Sequence, residues 1–383
     1  MAPGALVTAQ LSFVLVGAAT TMLGPLLPYL SARWALTDEE AGRFFVAQFA
    51  GSLLGALGSG WLLRRFGWRL IGPGGHALVG AGALALASRH PAKAFAGITV
   101  CGLGLGLIIP ATNLLVATAK GARAPAALNL LNFGWCLGAV AAPVAIAATL
   151  PTAGIGGFAK GFACLEACAL VAIRLSAKGT SALLPPLGEG SGGSTAGAFG
   201  RLTLLAALFQ FLYVGTEDSL SGWLPSYLSR CGWSARATAA AQAVLWAGVL
   251  AGRLMAPFAL RRADARGWML FSLMVALAGI LLVLSPPWWP AQLGGVGLAG
   301  LGLAAVFPTS VALYLERAGG RAVPAAGFIF ACGALGGATV PWAVGMLAEF
   351  ERSLRAALLV PASLVVAMIL TEVNSWLLSR RRP

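Results

Sequence analysis

Of the chain's 383 residues, 58% are hydrophobic and 10% are charged, against about 25% charged residues in a soluble domain, which excludes a water-soluble globule. The 26 Lys and Arg outnumber the 12 Asp and Glu for a formal charge of +14. They lie at the ends of apolar stretches rather than on one basic face or arm, which excludes a nucleic-acid binder.

Apolar stretches of about 20 residues, long enough to cross a bilayer as helix, recur along nearly the whole chain. Met1 leads through an uncharged tail into an apolar stretch too long for a signal-peptide core, so it is read as the first span. Breaks marked by charges, Gly and Pro place spans near residues 6–30, 41–63, 70–89, 93–119, 124–150 and 157–176. A second set follows near 200–229, 235–260, 267–286, 290–315, 322–348 and 354–378. Between the sets, residues 177–199 contain Pro185-Pro186 and Gly190-Ser191-Gly192-Gly193-Ser194, which cannot bury an apolar face and read as a linker.

The two sets repeat each other. Pro110 and Pro308 differ by 198, as do Gly102 and Gly300, Gly104 and Gly302, Gly121 and Gly319, Arg123 and Arg321, Gly138 and Gly336, Pro143 and Pro341, and Leu30-Ser31 and Leu228-Ser229. Arg64-Arg65 meets Arg261-Arg262 at 197. One register of Gly, Pro and Arg predicts a duplication. The expected fold is an all-α membrane protein with twelve transmembrane helices in two pseudo-symmetric six-helix bundles, residues 1–176 and 200–383. An even number of spans per half makes the repeats parallel, which suits a carrier that opens its pathway alternately to each face. With both termini cytoplasmic, the inner helix ends hold the larger share of basic residues, in a plasma or bacterial inner membrane.

Ionisable and amide groups inside spans are the candidate functional residues. On span four lies Asn113; on span five, Asn129 and Asn132 share a face, with Trp135 one turn on. Amides both donate and accept, which suits a hydroxyl-rich neutral ligand; bonding to each other or to backbone is the structural alternative. Glu166 stands mid-span on helix six beside Cys164 and Cys168. On span seven, Gln210, Tyr213, Glu217 and Ser221 recur at helical steps and form one polar stripe. Asp218 stands about 100° around the helix from Glu217. Span eight carries Gln242, Trp246 and Arg253 on one face, with Arg253 too far from Glu217 in depth for a direct pair. Substrate binding is expected from Asn113, Asn129, Asn132, Trp135, Gln210, Tyr213, Glu217, Gln242 and Trp246. Ion coupling is expected from Glu217, Asp218 or Glu166. His76 and His90 form no metal motif and read as membrane-edge or packing residues.

The six cysteines have no disulfide or zinc spacing. Absence of a P-loop, of a G-x-S-x-G elbow and of clustered metal ligands argues against an enzyme, a metal or a cofactor.

Gly60-Trp61-Leu62-Leu63-Arg64-Arg65-Phe66-Gly67-Trp68-Arg69 resembles the loop motif of the major facilitator superfamily, with Arg64 where that motif has Asp. Within the superfamily, Tyr213-Val214-Gly215-Thr216-Glu217 with Gly222-Trp223 and Tyr227, the stretch Asn129 to Pro143, and the stretch Gly333 to Pro341 are similar to the fucose-proton symporter group of sugar carriers. The resemblance implies uptake of a monosaccharide with a cation, using membrane acids on spans one and four as proton carriers. Here span one has no acid and span four offers Asn113. The expected protein is a secondary transporter of a small polar solute, a sugar, with proton or sodium as co-substrate, membrane lipid as surroundings and a monomeric state. Two alternatives stand beside it: an exporter of amphipathic drugs or lipids, suggested by Phe328 and Phe330, and a non-transporting receptor on a carrier fold.

Overall fold

The computed structural model describes residues 3–120, 124–176, 200–260, 264–286, 288–318 and 322–380, all helix and short turns. The expected linker 177–199 lies outside them, as do the repeat matches at Gly121, Arg123, Arg261-Arg262, Gly319 and Arg321. By contact, residues 1–26 and 43–176 belong to unit 1, and residues 27–42 and 200–380 to unit 2.

The first half contributes α1 (Pro3–Thr21), α2 (Leu23–Trp34), α3 (Asp38–Phe66), α4 (Trp68–Ala85), α5 (Pro91–Lys120) and α6 (Ala124–Ser176). The expected first span is broken at Met22 into α1 and α2, bent by 40°. Pro25 and Pro28 follow the break and remove backbone donors there. Thr37 and Glu40 start α3 with a reciprocal cap: each side chain accepts from the other's backbone N–H, at 3.0 and 3.2 Å. The expected spans 124–150 and 157–176 are two arms of α6, joined at Gly154, whose φ of 61° and ψ of −175° only glycine adopts without strain.

The second half contributes α7 (Arg201–Arg230), α8 (Ala235–Ala259), α9 (Ala265–Val283), α10 (Trp289–Leu303), α11 (Val306–Ala318), α12 (Ala322–Phe350), α13 (Leu354–Ala357) and α14 (Leu359–Arg380). Ser234 and Asp264 cap α8 and α9 through their side-chain oxygens. The expected span 290–315 is interrupted between α10 and α11 at Ala304 and Ala305. Pro308 has no N–H for the carbonyl of Ala304, four residues back. Among the described residues, eight helical stretches are long and apolar enough to cross a membrane, or nine with α1 and α2 taken as one span. Neither the 18-residue α4 nor α7, with its Gln210, Glu217 and Asp218, is among them.

Each unit is held together by close helix pairs, and the same pairs recur. In unit 1, Gly138 of α6 lets the Val14 carbonyl of α1 approach where a Cβ would stand; in unit 2, Gly336 of α12 does the same for the Phe211 carbonyl of α7. Gly82 of α4 admits the Gly97 carbonyl of α5, and Gly279 of α9 admits the Gly295 carbonyl of α10. Small residues permit such contact where the hydrophobic effect gives helices no reason to associate. Unit 2 also holds the turn before α3: Arg230 donates twice to the Asp38 carboxylate, one bond at 2.9 Å.

Candidate functional site

In unit 2 the polar stripe of α7 is a connected set. Tyr213, 1% exposed, donates its hydroxyl to Glu217 Oε1 at 2.8 Å and lies 3.2 Å from the carbonyl of Leu303, just before the break between α10 and α11. One turn away, Gln210 donates Nε2 to Ser310 Oγ of α11 at 2.9 Å, while its buried Oε1 has no hydrogen-bond partner among the described residues. The Tyr213 ring leans on Phe307, and Phe307 on Phe330, with centroids 5.8 and 6.1 Å apart. Beside the stripe is a mostly apolar cavity of about 240 Å³ lined by Leu205, Phe209, Gln210, Ser310, Phe330 and Glu372 among others.

Asp218, the next residue along α7, is partly buried. Gln242 is fully buried and donates Nε2 to the Ser221 carbonyl at 2.8 Å, a bond that ties α8 to α7. Trp246, 2% exposed, is buried on the same helix. Gln210, Tyr213 and Glu217 are thus brought together, whereas Gln242 and Trp246 sit in helix packing.

In unit 1 the expected amides are more open. Asn113 is partly exposed and donates to the Ile109 carbonyl of its own helix at 2.8 Å; Asn132 is exposed and donates to Leu128 at 2.9 Å. Asn129 is exposed and Trp135 half-exposed. Each bonded amide turns an N–H back onto its helix, which leaves the amide oxygen as an acceptor for a ligand.

Glu166 is in a different setting, 1% exposed, with Oε2 2.5 Å from Nδ1 of His76. Of the two sequence readings of His76, membrane edge or packing, its 0% exposure fits packing, and the ring is also hydrogen-bonded inside unit 1. Ninety residues separate the two, and no spacing rule joins positions so far apart on different helices. Among the described residues, no cluster of three His, Cys, Asp or Glu side chains could hold a metal.

A protein built from long apolar helices, with its few hydrogen-bonding side chains set inside them, is a polytopic membrane protein. The chain belongs to the Major Facilitator Superfamily, whose family model matches residues 11–341. Over 108 residues it is 32% identical to the glucose/mannose transporter GlcP of Bacillus subtilis, a match covering 27% of this chain. The chain spans about a quarter of that relative's length, 26%. Its fold is similar to the crystal structure of the E. coli fucose:proton symporter FucP, with a TM-score of 0.65, 18% identity and coverage of 96% and 98%. It is also similar to the nucleoside transporter NupG, with a TM-score of 0.80, 13% identity and coverage of 97% and 99%.

Proposed function

We propose that this chain is a secondary transporter that moves a small hydroxyl-rich solute, a sugar, by alternating access, with cation coupling and with uptake as its direction. The observation that carries this reading is the Tyr213 to Glu217 bond beside Gln210 on α7. A carboxylate and an unpaired amide oxygen accept from solute hydroxyls, and a tyrosine beside them fixes the carboxylate's position. An ionisable residue inside a membrane helix costs about 2.5–3.5 kcal/mol on insertion scales, so a solute-binding role accounts for its presence. Glucose/mannose and fucose:proton, in the names of similar proteins, point to the same solute class.

In the same reading, Asn113, Asn129, Asn132 and Trp135 contribute from unit 1, and Asp218 lies beside Glu217 as a further acceptor. Counting the two arms of α6 separately and adding α4 and α7 to the nine apolar spans gives twelve spans. Bundles 1–176 and 200–383 are then joined by the cytoplasmic linker 177–199. Both termini are cytoplasmic, the membrane is a plasma or bacterial inner membrane, and the protein works as a monomer.

The test is D-glucose transport by purified protein in liposomes. Wild type exchanges glucose, and Glu217→Gln loses exchange and accumulation together, with affinity down about tenfold or more from the lost charged hydrogen bonds. Undiminished exchange by a well-inserted Glu217→Gln protein would return Glu217 to a helix-packing role. The apolar cavity beside Gln210 favours a second reading, transport of an amphipathic molecule. Flux of an amphipathic dye in the same liposomes, with none of glucose, selects that reading.

A further inference from the structure

We propose that His76 and Glu166 form a proton-binding site inside unit 1, and that this pair, rather than the stripe of α7, carries the coupling proton of the transport cycle. The inference rests on the transport reading above.

The geometry identifies the ligand. His76 is the ninth residue of the 18-residue α4, and Glu166 lies well inside the second arm of α6, so both are far from the helix ends. Their exposures are 0% and 1%, and 2.5 Å separates Nδ1 from Oε2. At that distance a hydrogen lies between the atoms, because two bare lone pairs would repel. Among the described residues, His76 Nε2 and Glu166 Oε1 have no hydrogen-bond partner. With a single hydrogen on the pair it carries one negative charge; with a second it is neutral overall, whether written as imidazolium and carboxylate or as imidazole and carboxylic acid. Gaining or losing that second proton, through an N–H or O–H bond and nothing else, is the pair's one available change of state.

No other charge on the surrounding helices takes the proton's place. From α5 the titratable group packed against α4 is the buried Cys101 thiol, whose Cβ lies beside Gly82. On α6, Cys164 and Cys168 are exposed, as are Lys160 and Arg174 further along. On α4 the other ionisable side chain is the exposed Arg69 near its start, and on α5 they are the exposed Lys93 and Lys120 at its ends. The described part of α1 has none.

Helix packing does not call for the pair. His76 has its repeat counterpart 197 residues on at Leu273 of α9, which is equally buried at 0%. Glu166 meets Leu364 of α14 at 198. At Leu273, then, unit 2 fills a fully buried position with an apolar side chain, while Leu364 is partly buried. Two buried polar atoms without partners are an expensive way to hold helices together, and intramembrane ionisable residues are by default functional. The pair is also connected to the candidate amides. Gly80, one turn from His76, would bring a Cβ to 3.2 Å from that of Glu166, so α4 and α6 touch at the pair. Helix α5, packed against α4, carries Asn113, and the arm of α6 that holds Glu166 continues through Gly154 into the arm with Asn129 and Asn132.

Glucose exchange at equal pH and accumulation driven by a pH gradient, both in liposomes, test the proposal. Wild type should do both. Glu166→Gln and His76→Asn should lose accumulation to the level of the equal-pH control and still exchange glucose. Wild-type accumulation ratios in either variant overturn the proposal. If the single variants fail to insert, His76→Leu with Glu166→Leu, which copies the apolar packing of unit 2, takes their place with the same two readings. A wild type that exchanges no glucose refutes the transport reading instead. The pair is then tested alone by infrared difference spectra between acid and alkaline solution: a carboxyl band missing from Glu166→Gln is expected, and identical spectra overturn the site.

Discussion

Unit 1 packs α4 against α5 and α6 around His76 and Glu166, while unit 2 packs α9 against α10 and α14 with Leu273 at the corresponding place. The glycine contacts beside these positions are the same: Gly82 receives the Gly97 carbonyl, and Gly279 receives that of Gly295. Unit 2 keeps an ion pair between α9 and α14, but Arg266 is the second residue of α9, whereas His76 is the ninth of α4. Seven residues of helix are about 10 Å. The duplication therefore preserved the backbone approaches, which depend on the absence of a side chain, and left the placement of charge to each half. An ion pair near a helix end is within reach of water or headgroups; at mid-helix any net charge on the pair is costly.

The largest effect that tests this comparison is the removal of one partner. Glu166→Ala should destabilise unit 1 by about 3–5 kcal/mol, because it strands His76 in an apolar site. His76→Leu with Glu166→Leu should be neutral or stabilising by about 1–4 kcal/mol, because it restores the chemistry of unit 2. Unfolding of the purified protein by denaturing detergent measures both. A double variant as unstable as the single one would mean that the two places are not equivalent.

Next comes the shared scaffold. Gly138→Val and Gly336→Val each drive a side chain into a carbonyl of the neighbouring helix, Val14 in one unit and Phe211 in the other. Each should cost about 1–3 kcal/mol by overpacking, and the two costs should match within about 0.5 kcal/mol, the usual margin for independent sites. A loss confined to one variant would break the equivalence of the α1–α6 and α7–α12 pairs.

Much of this scaffold is legible in the chain. Gly102, Gly104 and Gly138 with their partners mark the close contacts, because a glycine that must admit a backbone cannot be exchanged without cost. The step of three and four from Gln210 through Tyr213 to Glu217 puts them on one face. Other features depend on what lies opposite. Pro25 and Pro28 are visible, yet only neighbouring helices decide whether a proline bends a span at Met22 or is absorbed, as Pro110 is within α5. Gln242 has the spacing of a lining residue, and its bond to Ser221 appears only once α8 lies beside α7. His76 and Glu166 each give a sign of burial, but only folding supplies the 2.5 Å between them.

A smaller effect separates the open amides of unit 1 from the buried stripe of unit 2. Asn129→Leu with Asn132→Leu should leave insertion intact and weaken glucose binding about fivefold to tenfold, the value of a typical neutral hydrogen bond or two. Glu217→Gln should cost more, since a charged acceptor is lost where the neutral amide offers a weaker one. Equal losses would place both sets on one energetic footing, and unchanged affinity in the folded double variant would remove the amides from the site.

The smallest expected change belongs to the pair of Arg230 and Asp38. Its members are 50% and 16% exposed, whereas Arg266 and Glu372 are 16% and 9% exposed. Two bonds in a fork give the Arg230 pair good geometry, but water and salt reach the guanidinium and screen it. Arg230→Ala should therefore lower stability by about 0.2–1 kcal/mol in low salt, and the difference should disappear near 1 M salt, where the screening length is about 3 Å. Arg266→Ala is the control, because that pair is the less exposed of the two and salt screens it less. Detergent-unfolding curves at the two salt concentrations check both variants. A loss for Arg230→Ala that persists in high salt would show a bond protected from solvent, and would move that pair from the exposed class to the buried one.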